Sequence, residues 1–85
     1  MNSRTTCSFR AAFRALPADV RQRARRAYRL WHEDPDLPGL RFKRVGDDVS
    51  IRIGRDYRAL GILEGETVHW YWIGRHDPVA AIPSL

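Results

Sequence analysis

Cysteine is almost missing from this chain of 85 residues, where Cys7 is the only one. An internal disulfide is therefore impossible, and a cysteine-rich zinc site is excluded. Such usage points to a reducing, cytoplasmic compartment. Long apolar runs are missing as well. None approaches the roughly 18 residues of a membrane helix, so no membrane partner is expected. Met1–Arg10 lacks the apolar run of a secretory signal, and export by that route is not expected. There is no glycine-rich phosphate loop and no Gly-x-Ser-x-Gly elbow. His32, His69 and His76 lack the spacing of a helical metal pair, and no carboxylate cluster joins them. Neither a metal site nor a cofactor is expected. Nothing near Cys7 in sequence marks a partner base, which argues against a nucleophilic thiol.

What is present is enough for one small folded domain over residues 1–85. The chain has a mass of 9.9 kDa, 44% apolar and 11% aromatic residues. Two domains would each fall near the lower size limit for independent folding. The net charge is +5, and 14 of the 15 basic residues are arginine. The imbalance is local, because residues 1–30 hold eight arginines and one acid, Asp19. A chain with a pI near 10.3 is drawn to phosphate polymers and acidic proteins. Guanidinium forks match phosphate oxygens in pairs, as lysine does not. GC-rich coding produces the same arginine bias without any function.

Phe9, Phe13 and Leu16 recur at helical spacing, with Ser8 as the expected N-cap. Leu16-Pro17 breaks this helix, and Pro17 suits the first turn of a second one. Val20, Ala24, Ala27, Tyr28 and Trp31 form one apolar stripe, which predicts an amphipathic helix over 18–33. Arg21, Arg25 and Arg29 line another face of it at spacings of four. Asp34-Pro35 ends it. The period then falls to two. Val49, Ile51 and Ile53 alternate with Ser50 and Arg52, as in a half-buried strand. Turns at Gly46-Asp47-Asp48, Gly54-Arg55-Asp56 and Glu64-Gly65-Glu66 separate strands expected near 41–45, 49–53, 57–63 and 67–73. The expected fold is α+β, with two N-terminal helices packed on a four-stranded antiparallel sheet. One face of such a sheet stays free for a ligand.

Alternation aims Arg52 away from the core, and Arg58 shares its face if Tyr57 points inward. Two like charges on adjacent strands favour an anion between them, although two solvated arginines on an open face are the commoner case. His76 follows the fourth strand and titrates near neutrality, as any solvated loop histidine would. Trp70, Tyr71 and Trp72 put rings on both faces of one strand. Rings off the core could stack on bases, a contact of about 1–3 kcal/mol each. Packing in the core or against a partner is expected for at least two of the three.

Taken in order, several segments resemble the RelE/ParE superfamily of bacterial type II toxin–antitoxin toxins. They are Leu16-Pro17, Pro35 to Leu40 followed by Phe42-Lys43, and Ser50-Ile51-Arg52-Ile53-Gly54. Arg55-Asp56-Tyr57-Arg58-Ala59-Leu60 is similar to the family's Tyr-Arg strand, and Trp72-Ile73-Gly74-Arg75-His76 to the strand end that carries a basic or histidine residue. The resemblance implies a fold related to microbial ribonucleases and a cognate antitoxin partner. In the RelE-like branch it implies cleavage of mRNA on the ribosome, and in the ParE-like branch poisoning of DNA gyrase. Carried over by position, Arg52 and Arg58 match the basic residues of the concave sheet face, and His76 the functional Arg-or-His position. Ser50 stands where ribosome-dependent nucleases often have another basic residue. The tail after His76 lacks the tyrosine common there, so a decayed relative that still binds an antitoxin is a third reading.

A nuclease of this kind needs no metal. The implied roles are electrostatic clamping for Arg52 and Arg58, and acid or base for His76. Lys43 and Arg75 are expected to hold flanking phosphates. Arg21, Arg25 and Arg29 are expected to meet RNA backbone without reading sequence.

Overall fold

The apolar stripe of the second helix decides how the molecule is layered. In the computed structural model, which describes residues 2–75, Val20, Ala24, Ala27 and Trp31 are buried along this helix, α2 (Ala18–Glu33). Its bounds are those the periodicity predicts. Tyr28 lies at the edge of the stripe and is exposed. The indole of Trp31 is fully buried and meets Trp70 edge-on at 5.4 Å, with Phe42 at 5.9 Å. Aromatic pairs in this geometry add about 0.5–1.5 kcal/mol beyond area burial.

The first helix, α1 (Cys7–Arg14), begins two residues earlier than a Ser8 cap would allow. Thr6 is the N-cap instead. Its backbone is extended, and its hydroxyl accepts the Phe9 amide at 3.1 Å. The Ser8 hydroxyl turns away and donates to the Tyr71 carbonyl. A 3-10 turn over Pro38–Leu40 then buries Leu40, and Arg41 takes a left-handed backbone with φ 47°. The strand expected from residue 41 therefore starts at residue 43.

Five strands follow one another in the sheet, not four. They are β1 (Asn2–Thr5), β2 (Lys43–Val45), β3 (Asp48–Arg52), β4 (Tyr57–Glu64) and β5 (Thr67–Arg75), in the order β1-β5-β4-β3-β2. The meander β2 to β5 is antiparallel, as expected. The additional strand, β1, runs parallel to β5, with Asn2 opposite Thr67 and Thr5 opposite Trp70. Backbone bonds at both of its ends hold it, from the Asn2 amide to Glu66 and from the Thr6 amide to Trp70. Gly46 and Gly65 open the two tight hairpin turns at φ 62° and 60°, backbone that residues with a Cβ rarely adopt.

The core lies between α2 and one face of the sheet, where Val49, Ile51, Ala59, Leu63, Val68, Trp70 and Ile73 are buried. A β-bulge interrupts the β4–β5 register, so that Leu60 opposes Trp72 while Gly61 opposes Trp70. Tyr71 is the extra residue. Trp70 and Ile73 face the core, and the two residues between them are turned away from it. Of the three clustered rings, only Trp70 belongs to the core. No helix among the described residues is long and apolar enough to cross a membrane.

Candidate functional site

The sheet face away from α2, expected to be free, is assembled by cross-strand pairing and is covered at Ser50 and Leu60. Arg52 at the end of β3 is directly opposite Arg58 on β4, and Arg58 is opposite Gly74 on β5. The next row runs Lys43, Ser50, Leu60 and Trp72 across four strands. Tyr57 packs against the core, which turns Arg58 outward as the alternation requires. Both arginines are half-buried. The Arg52 Nε donates to the Gly54 carbonyl at 3.2 Å, which fixes that guanidinium at the strand end.

Gly74 has a particular task on this face. A Cβ there would lie 2.8 Å from the Trp72 Cζ2 and 3.2 Å from its Cη2. The indole thus lies along its own strand over Gly74, in the row that holds Arg58. Ser50 is 1% exposed, and its hydroxyl has no hydrogen-bond partner among the described residues. Tyr71 sits nearby, and its phenol is pushed above the usual tyrosine value, first by burial and then by the Asp48 carboxylate.

The charge is unbalanced. Among the described residues the ion pair found is His69 with Glu64 at 3.7 Å, and no arginine has a carboxylate partner. The arginines expected to meet RNA are placed unequally. Arg21 donates to the carbonyls of Leu16 at 2.7 Å and Arg14 at 3.4 Å, and so caps the end of α1. Arg25 lies over the Phe13 ring at 5.2 Å. Arg29 is exposed. Lys43 is exposed on the same face as Ser50. Arg75 ends β5 opposite Tyr57, on the row that faces the helices, and is not beside Arg58. His76 lies outside the described residues. Among those residues no group of histidine, cysteine and carboxylate side chains is placed to hold a metal ion.

Sequence reasoning passed over Arg23 and Arg26, which line a groove with Arg52 and Gly54. They occupy the α2 flank away from Arg21 and Arg25. Helical spacing separates the two flanks, but it does not say which one meets the end of β3.

Two helices against a five-stranded mixed sheet make an α+β fold. The family model of the ParE-like toxin domain matches residues 18–78, and the chain belongs to that family. Solved structures share its fold at low identity. RelE in the RelB-RelE antitoxin-toxin complex from Methanococcus jannaschii superposes with a TM-score of 0.67 at 17% identity, covering 84% of this chain and 87% of that one. The isolated RelE toxin of E. coli gives 0.67 at 16%, covering 89% and 84%. The YoeB/ParE toxin from Agrobacterium tumefaciens gives 0.68 at 14%, covering 91% and 100%. No curated protein matches the sequence.

Proposed function

We propose that this toxin is a metal-independent endoribonuclease that cuts mRNA at the ribosome and is held in check by a cognate antitoxin. The observation that carries the reading is the direct opposition of Arg52 and Arg58 on the sheet face away from α2, without a carboxylate among the described residues near enough to pair with either. Like charges opposed across strands cost stability. A phosphate between them turns that cost into attraction. In the reaction the 2′-oxygen of one nucleotide attacks the adjacent phosphorus, and the 5′-oxygen leaves, giving a cyclic phosphate. A base takes the 2′-hydroxyl proton and an acid returns one to the 5′-oxygen. Arginine stays protonated and serves neither step. Arg52 and Arg58 stabilise the charge that builds on the phosphoryl oxygens. His76, next in sequence after β5, is assigned the proton transfer. Lys43 holds a neighbouring phosphate from the same face.

The partner reading is supported by the structural neighbours, since RelE is seen with RelB in the Methanococcus jannaschii complex. A net charge of +5 favours an acidic antitoxin segment. The family match to the ParE-like domain favours a second reading, in which the chain binds DNA gyrase and performs no chemistry. Induction of the chain alone separates them. Growth arrest with fragmented mRNA supports the nuclease, arrest with DNA breaks supports the gyrase-directed toxin, and continued growth rejects both.

A further inference from the structure

A groove of about 330 Å³ runs between α2, the Pro38–Leu40 turn and the end of β3. Its charged members among the described residues are Arg23, Arg26 and Arg52, and none of the described acidic residues lines it. Two of the guanidiniums converge on one residue. The Arg52 Nε bonds to the Gly54 carbonyl at 3.2 Å, and Nη1 of Arg23 lies 3.7 Å from where a Cβ on Gly54 would be. The Arg23 side chain thus packs beside the strand end at ordinary contact distance. Asp56 is two residues away in sequence and forms no ion pair among the described residues. The remaining wall includes Leu30, Leu37 and Leu40. Apolar walls around charges of one sign focus their field on whatever enters.

We propose that this groove is a second phosphate-binding site, which holds the RNA backbone beside the Arg52–Arg58 pair. The inference rests on the RNA-directed reading above and extends it to residues outside the sheet face. A polymer charged at every unit suits the arrangement. One phosphate occupies the groove while its neighbour lies between Arg52 and Arg58, so Arg52 borders both.

The test is binding of a fluorescein-labelled 2′-O-methyl oligouridylate, which lacks the attacking hydroxyl and stays intact whether or not the protein is a nuclease. Anisotropy titrations run between about 50 and 200 mM salt, and each phosphate contact on a single strand adds about 0.7 to the slope of log K against log salt. The Arg23→Gln/Arg26→Gln double variant empties the groove of its one phosphate and should lose about 0.7 from that slope. Both side chains are exposed, so the fold should persist, as circular dichroism will verify. The Arg14→Gln/Arg44→Gln variant removes the same charge elsewhere and should keep the parent slope. Equal losses in both variants would mean general attraction and would overturn the site. So would an unchanged slope accompanied by weaker binding of polyglutamate, which would assign the groove to a protein partner. If the parent binds the strand through Arg23 and Arg26 yet cuts no RNA on ribosomes, the groove stands and the nuclease reading alone falls.

Discussion

Arg58→Gln should make the protein more stable and functionally silent at once. Arg58 faces Arg52 across β3 and β4, and no described carboxylate neutralises either one. Like charges directly opposed in a sheet cost about 0.2–1 kcal/mol, and the substitution removes that repulsion. For a domain of this size each kcal/mol moves Tm by about 4–8 °C, so a rise of about 1–8 °C is expected at low salt. The bond from Arg52 to Gly54 is untouched, so no compensating loss enters. Salt supplies the internal control. Screening shortens from about 10 Å at 0.1 M to about 3 Å at 1 M, so the gain should shrink as salt rises. The assay is thermal unfolding of parent and variant at both salt concentrations, beside growth arrest on induction. A variant that melts lower than the parent at low salt, or one whose difference ignores salt, would refute the argument that the pair is held against its own repulsion. A variant that stays fully toxic would remove Arg58 from the site.

Gly61→Ala places a Cβ 2.8 Å from Val68 Cγ1 and 2.9 Å from Trp70 Cε3, both in the core, so denaturant unfolding should show a loss of about 1–3 kcal/mol. Thr6→Ala removes the α1 cap and should cost about 0.5–2 kcal/mol, with Thr6→Ser restoring most of it. Tyr71 carries a phenol held above its ordinary value, so its stabilising contribution is complete below the unfolded pKa and is lost as pH climbs through the folded one. Absorbance of the phenolate should show a late-titrating tyrosine that Tyr71→Phe abolishes and Asp48→Asn moves part of the way back. Ser50→Ala removes a buried hydroxyl without a partner, and unfolding should show stability equal to the parent or higher.

The helix α2 was readable to the residue because its apolar stripe and Asp34-Pro35 stop agree with its burial. The hairpins were readable because Gly46 and Gly65 mark turns that demand a positive φ. β1 was not, since Asn-Ser-Arg-Thr contains no apolar residue and its pairing uses backbone atoms alone. The side chain of Ser3 instead reaches α2, where its hydroxyl contacts Tyr28 and His32. The bulge at Tyr71 was hidden as well. An aromatic run has no gap to reveal an inserted residue, so Tyr71 and Trp72 both left the core where alternation removes only one. On the site, alternation alone places Arg52 and Arg58 together. Nothing in the spacing of α2 could say that Arg21 is spent on the end of α1, or that Arg23 reaches Gly54. Those outcomes depend on where α2 crosses the sheet.

The parallel pairing of β1 with β5 also sets an order of assembly during synthesis. Asn2–Thr5 leaves the ribosome before the other four strands, yet its neighbour Thr67–Arg75 is made more than sixty residues later. The antiparallel hairpins can close as they emerge, because their partners are adjacent in sequence. The first strand must wait, unpaired, for nearly the whole described chain. Its polar composition suits that wait, since a strand without apolar side chains offers little to an aggregating neighbour. Gly74 and the Trp72 indole arrive on that same late strand, so the row containing Arg58 is finished only when β5 closes onto β4.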